Sequence, residues 1–149
     1  MDADSLAYCA VTIDEIVELR HAELRTGLPI ETADFDGDRD PATLHFGAFA
    51  PDGGDNVCCA SFMLNEFEDE PAYQLRGMAT RKDWAGRGVG ARLLDFAVQT
   101  ILDATPIRQL WCNARTTAVG FYKKQGWEVI SEEFSVPTAG PHFRMAKSL

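Results

Sequence analysis

The residues with the clearest chemical potential form one run, Met78-Ala79-Thr80-Arg81-Lys82-Asp83-Trp84-Ala85-Gly86-Arg87-Gly88-Val89-Gly90-Ala91-Arg92-Leu93-Leu94. Three glycines stand among four basic side chains, immediately before an apolar pattern of helical period. Glycines let a backbone come close to an anion, and the free amides at a helix start point at it with a favourable dipole. This combination predicts a pyrophosphate site on the amides of Arg87 to Ala91. Gly86, Gly88 and Ala91 also satisfy G-x-G-x-x-G/A, the dinucleotide fingerprint. Against that reading, the stretch from Thr80 to Gly86 is too long for the tight first turn of a Rossmann unit, and the run follows an antiparallel meander. A Walker loop is excluded, because no G-K-S/T follows.

A second constellation lies downstream: Asn113-Ala114-Arg115, then Ala118, then Phe121-Tyr122-Lys123-Lys124-Gln125-Gly126-Trp127. Other polar side chains suited to proton transfer are Glu66 at the end of a meander strand, His45 and His142. Cys112, between Trp111 and Asn113, reads as a buried apolar thiol rather than a nucleophile.

The elements that must position these residues follow from period and punctuation. Leu6 to Val11 reads as a strand. Thr12-Ile13-Asp14-Glu15 is a capping box opening a helix to about Arg25, which Gly27 and Pro29 stop. Residues 30 to 42 are acidic and aperiodic, hence a loop. Thr43 to Ala50, Val57 to Asn65 and Ala72 to Thr80 form a meander, its first turn being Pro51 to Asn56. A helix spans Gly88 to Leu102, with Val89, Leu93, Phe96 and Ala97 on its apolar side. A strand over Arg108 to Asn113, a helix over Thr117 to Lys124 capped by Gly126, and strands at Trp127 to Phe134 and Phe143 to Lys147 complete the chain.

The strand, turn and helix around Gly88 resemble the acetyl-CoA-binding signature of the GNAT N-acetyltransferases, Q/R-x-x-G-x-G/A, here Ala85-Gly86-Arg87-Gly88-Val89-Gly90. Ala85 departs from the pattern, and Arg81 or Arg87 is expected to compensate. The Phe121-to-Trp127 run is similar to the family's F-Y-x-x-x-G-F/W ending, with Arg115 where asparagine is common. Leu24-Arg25-x-Gly27, Asp38, His45 and Gly140 to Met145 resemble a bacterial subgroup of the same family. The resemblance implies an α+β domain over residues 1–149, with a mostly antiparallel twisted sheet of six to seven strands flanked by helices. It implies acetyl-CoA as co-substrate, with Met78, Ala79 and Thr80 along the pantetheine arm and Arg81, Ala85 to Ala91, Asn113, Arg115 and Tyr122 completing the cofactor site. Tyr122 would protonate the leaving thiolate, since a phenol of pKa near ~10 stays protonated at neutral pH. Glu66, His45 and His142 remain the candidate bases. The implied reaction is direct acetyl transfer to a primary amine of a small molecule or peptide. The alternative is a coenzyme A-binding sensor without turnover.

Composition agrees with that class. The chain has 149 residues, 46% hydrophobic and 25% charged, enough to fill one core. A net charge of −9 argues against nucleic acid as partner. No apolar run reaches the length needed to cross a bilayer, the start Met1-Asp2-Ala3-Asp4 lacks a secretion signal, and four cysteines without C-x-x-C spacing suggest neither metal nor disulfides. A cytoplasmic protein is expected, and homodimerisation is left open. The acidic segments Glu31 to Asp40 and Glu66 to Glu70 are expected to rim the acceptor cleft and favour cationic amines.

Overall fold

The computed structural model describes residues 3–51 and 54–149. Asp52 and Gly53, at the centre of the expected first hairpin turn, lie outside them, as do Met1 and Asp2. Eight strands and three α-helices are arranged as β1 (Ala7–Val11), α1 (Val17–Leu24), β2 (Leu44–Phe49), β3 (Asn56–Leu64), β4 (Tyr73–Thr80), α2 (Val89–Ala104), β5 (Gln109–Arg115), α3 (Val119–Lys124), β6 (Glu128–Val129), β7 (Phe134–Val136) and β8 (Gly140–Ser148). One sheet runs in the order β1-β2-β3-β4-β5-β8-β6, with β7 also on β8. Among the described residues, only β4 and β5 pair in parallel. The mostly antiparallel sheet with flanking helices is the architecture expected, with one strand more.

Two expectations change. The first helix is split: Glu15 does reach back, its Oε1 accepting from the Thr12 amide and hydroxyl at 3.1 Å each, but Ile13–Glu15 is a 3-10 turn and α1 starts only at Val17. The single strand expected from Trp127 to Phe134 breaks into β6 and β7. There Ile130 still donates to the Arg144 carbonyl, but Ser131 Oγ takes the Arg144 amide in place of a backbone carbonyl, which turns the chain out of the ladder.

Alternation along the strands separates two faces. On one, Phe46, Ala60, Phe62 and Leu75 pack under α2 with Val89, Leu93 and Ala97, joined by Leu110, Cys112, Tyr122 and Met145. On the other, Cys59 and Ala79 pack with Ile13, Ile16 and Leu19 of the α1 segment. β4 changes phase between them. Cys59 faces Ala79 but Ser61 faces Arg76, so β4 carries two residues, Gly77 and Met78, against one of β3. This bulge sits at Gly77, whose φ of +63° suits glycine alone, and a Cβ there would lie 2.6 Å from Arg20 Nε.

Arg20 is fully buried. Its Nη1 donates to Asp38 Oδ2 at 2.5 Å and to the Ala33 carbonyl at 2.9 Å, and Nη2 to Asp38 Oδ1 at 3.2 Å and Ser61 Oγ at 2.7 Å. The guanidinium stacks 4.2 Å from the Phe35 ring centroid. The acidic loop is thereby fastened onto α1 and β3. Removing one partner of a buried pair strands the other charge, at a cost of roughly 3–5 kcal/mol. Asp38→Ala should lose stability of about that size in urea unfolding, and Arg20→Met with Asp38→Ala should lose less than the two singles summed. Additive losses would show that the pair carries no mutual stabilisation.

Candidate functional site

The parallel ladder between β4 and β5 is short, running from Tyr73 opposite Leu110 to Leu75 opposite Cys112. β4 continues to Thr80 and β5 to Arg115 without pairing to each other. A wedge opens between them and forms a cavity of about 520 Å³, walled by Arg76, Gly77 and Met78 on one strand and Asn113, Ala114 and Arg115 on the other. Backbone groups of β4 that face the wedge have no strand partner there.

Because the wedge passes through the sheet, it has two sides. On the α2 side stand Met78, Cys112 and Tyr122. Tyr122 is buried, and its hydroxyl points at Met78 Sδ, 3.7 Å away. Burial pushes the phenol pKa well up, with the neighbouring Cys112 and Cys58 adding to the effect, so the proton is firmly held. Burial also pushes the Cys112 thiol up to about 12, which keeps it a packing thiol rather than a nucleophile.

On the α1 side stand Arg25, Phe35, Arg76, Arg115 and His142. Arg115 and His142 are cross-strand partners, as are Asn113 and Arg144 two pairs along, on the same face. Arg144 Nε donates to Asn113 Oδ1 at 3.2 Å and its guanidinium lies 4.9 Å from the Trp111 ring centroid. His142 Nδ1 is 2.9 Å from the Gly140 carbonyl. A carbonyl only accepts, so Nδ1 carries the proton and, in the neutral ring, Nε2 holds the free electron pair.

The glycine turn closes the α2 side. Gly88 caps α2 in the left-handed region, φ +81°, and offers no side-chain cap to the free amides of the first turn. Gly86 is also left-handed, and a Cβ on either glycine would meet nothing within 4 Å. Space and unsatisfied donors therefore coincide at this helix start, which fits a phosphate group. At Gly90 a Cβ would come within 3.2 Å of Phe121 and 3.3 Å of Met78 Cε, so this turn, α3 and the wedge are in contact.

Of the expected cofactor residues, Met78, Asn113, Arg115 and Tyr122 line the cavity, while Ala85, Gly86, Arg87 and Gly88 form an exposed stretch beside the α2 start, followed by Val89, Gly90 and Ala91. Thr80 turns its hydroxyl to Cys58, 3.3 Å away, and the Ala79 side chain packs toward Ile16 on the α1 face. Arg81 pairs with Asp83 at 2.7 and 3.0 Å in an exposed contact, and Arg87 lies over the Trp84 ring at 5.1 Å.

Two expected bases are not brought to the cavity. His45 is buried, donating through Nε2 to the Asp38 carbonyl at 2.7 Å, with Nδ1 2.6 Å from Ser61 Oγ, so the Arg20 network occupies both nitrogens. Glu66 is exposed on the β3–β4 hairpin, whose Phe67 and Glu70 pair around left-handed Glu68 and Asp69, and it does not line the cavity. The acidic rim is corrected as well. Asp38 is spent on Arg20 and Asp34 on Arg39, Asp36 and Asp40 line a neighbouring recess, and among the described residues no carboxylate lines the wedge. Arg76 reaches the cavity wall beside the bulge at Gly77, which the sequence marks, since an isolated glycine in a strand pattern signals a bulge.

Among the described residues no group of three or more His, Cys, Asp and Glu could hold a metal ion, and no helix is long and apolar enough to cross a membrane.

Residues 60–149 match the acetyltransferase (GNAT) domain family. The chain is 31% identical over 142 residues to the uncharacterized N-acetyltransferase YitI of Bacillus subtilis (strain 168), covering 93% of each. The crystal structure of Escherichia coli ElaA superposes with a TM-score of 0.77 at 17% identity, over 96% of this chain and 99% of that one. A chain of the NatC complex bound to Gag peptide and CoA superposes equally well, TM-score 0.77 at 14% identity, over 97% and 99%. The wedge, the uncapped glycine turn and the tyrosine facing them thus stand in a chain that belongs to the GNAT acetyltransferases and is an acyltransferase.

Proposed function

We propose that the protein transfers the acetyl group of acetyl-CoA to a primary amine by direct attack in a ternary complex, with Tyr122 as acid and His142 as base. The observation that carries this reading is the placement of the two groups on opposite sides of one wedge, open beside an uncapped helix start.

Acetyl-CoA would supply the acetyl thioester and depart as the thiol. The amides at the start of α2 and the two left-handed glycines would hold its pyrophosphate, and the unpaired edge of β4 at Arg76 to Met78 would take its extended arm as an added strand. An amine is a nucleophile only when neutral. His142 Nε2, oriented by the bond of Nδ1 to Gly140, accepts the amine proton from the α1 side. Tyr122 holds its proton on the α2 side, where a leaving sulfur needs one. The burial that raises the phenol pKa also raises that of a thiolate beside it, so the transfer stays matched.

Gly88→Asp and Gly88→Asn both tolerate a left-handed backbone, and only the first adds charge. Acetyl-CoA affinity should fall by tenfold or more in the aspartate variant relative to the asparagine one; equal affinities would remove the pyrophosphate assignment. Tyr122→Phe should lower kcat by roughly 10²-fold or more, measured as thiol release, with the KM for acetyl-CoA little changed. Parental turnover in that variant would leave Tyr122 a packing residue. His142→Gln should lower kcat by roughly 10²- to 10⁴-fold. Glutamine can donate to the Gly140 carbonyl but cannot take the proton, so an active variant would mean that solvent serves as base.

A further inference from the structure

The α1 side of the wedge concentrates three arginines that form no ion pair with a carboxylate of the described residues. Arg25 and Arg76 lie 5.1 and 4.9 Å from the centroid of the same ring, Phe35, and Arg115 faces the same cavity. None of the three is ion-paired among the described residues. Arg25 spends one bond on the Leu24 carbonyl, 3.1 Å, and Arg76 one on Met63 Sδ, 3.3 Å. In a chain with 23 carboxylates against 14 basic residues, their absence from this wall is a marked local departure. The repulsion is felt: after burial, the charges of Arg115, Arg76 and Arg20 lower the pKa of Arg25. Asp36 and Asp38 favour the charged form of Arg76, but less than burial disfavours it.

These arginines do not face the helix start that fits the donor's phosphates. Arg76 is on the α1 face with Ala79, whereas Met78, next to Gly90 of α2, is on the other. They stand instead on the side of His142. Arg115 is directly across from His142 in the β5–β8 register, so an anion held here lies one short side chain's reach from the base. Guanidinium groups match planar and tetrahedral oxyanions bidentately, and Phe35 fixes the planes of two of them.

Resting on the acetyl-transfer reading above, we infer that the acceptor is a small amine bearing its own oxyanion, a carboxylate or a phosphate, held by Arg25, Arg76 and Arg115 with its amine presented to His142. The anion supplies the charge that the wall lacks. The cavity of about 520 Å³ is open on the side of these arginines and His142.

The test compares matched acceptors: free amino acids against their amides, 2-aminoethyl phosphate against 2-aminoethanol, and spermidine. Anionic members should exceed their neutral partners by roughly 10- to 100-fold in kcat/KM, as expected for charge-assisted hydrogen bonds. Which pair shows the gap separates carboxylate from phosphate. Arg76→Gln should shrink the gap, raising the amine KM more than the acetyl-CoA KM, and Arg76→Glu should shift preference toward spermidine. Arg25→Gln is the parallel variant should either Arg76 change fail to fold by thermal melting. Calorimetric titration of the same compounds reads binding without turnover. Anionic amines that bind in an Arg76-dependent way yet are not acetylated would support this inference and sink the acetyl-transfer reading. Neutral or cationic amines bound and used as well as anionic ones, or acidic peptides used better than free amino acids, would overturn it.

Discussion

The interaction on which the rest of the architecture depends is the neutralisation of Arg20. A guanidinium with no solvent contact requires a carboxylate and further acceptors, and the chain supplies them from the acidic loop and β3, with β2 bracing both. Asp38 and the Ala33 carbonyl come from the acidic loop, Ser61 from β3, and His45 of β2 completes the chain of bonds through Ser61 and the Asp38 backbone. A loop without period or repeating apolar residues is thereby given a fixed course over the sheet. The same guanidinium presses on β4 so closely that only glycine fits opposite it. Loop, helix and bulge are thus consequences of one buried charge.

The bulge then determines the chemistry. Side chains on a strand alternate, so an inserted residue exchanges the faces of everything beyond it. In a regular β4, Leu75 and Ala79 would share a face; with Gly77 inserted, Leu75 shares its face with Met78. Met78 is thereby set against Tyr122 while Arg76 looks the other way. An acyl transfer to an amine needs a proton removed at the attacking atom and one provided at the leaving atom. A single surface would crowd the two groups together. Splitting them across a gap in the sheet lets each meet its own reactant, and the short β4–β5 ladder is what makes the gap.

Much of this was legible in the residues, for identifiable reasons. Gly86, Gly88 and the apolar period from Val89 onward gave a local signal, since helix starts and left-handed turns are set by neighbours in sequence. The meander was readable because its strands alternate and its turns are polar. His45 and Glu66 misled because exposure is a tertiary property: a histidine on an alternating strand reads the same whether it faces a cleft or a buried arginine. The acidic loop misled for a related reason. Its negative charges look like a surface feature, yet the decisive one, Asp38, is consumed by Arg20, eighteen residues earlier in the chain, which also binds Ser61, a set of pairings no local window contains. The break between β6 and β7 depended likewise on one hydroxyl, Ser131, capturing the amide of Arg144.

The contrast between the whole charge and the local charge is informative about selectivity. A net charge of −9 should discourage anions, yet exposed charges act through water and salt, and at a Debye length of ~8 Å most of the acidic surface is screened from the wedge. The arginines on the wall act across a few ångströms in a partly desolvated space, where each carries more weight. Choice between ligands is therefore made inside the cavity, while the acidic exterior governs only approach. The asymmetry with Arg20 completes the argument. There the two terminal nitrogens of a buried guanidinium are held by a carboxylate, a serine and a carbonyl, and the residue serves the fold. Arg25, Arg76 and Arg115 form no such ion pair among the described residues, and Arg25 feels the charges of the other arginines, so an anion that binds there also stabilises the fold.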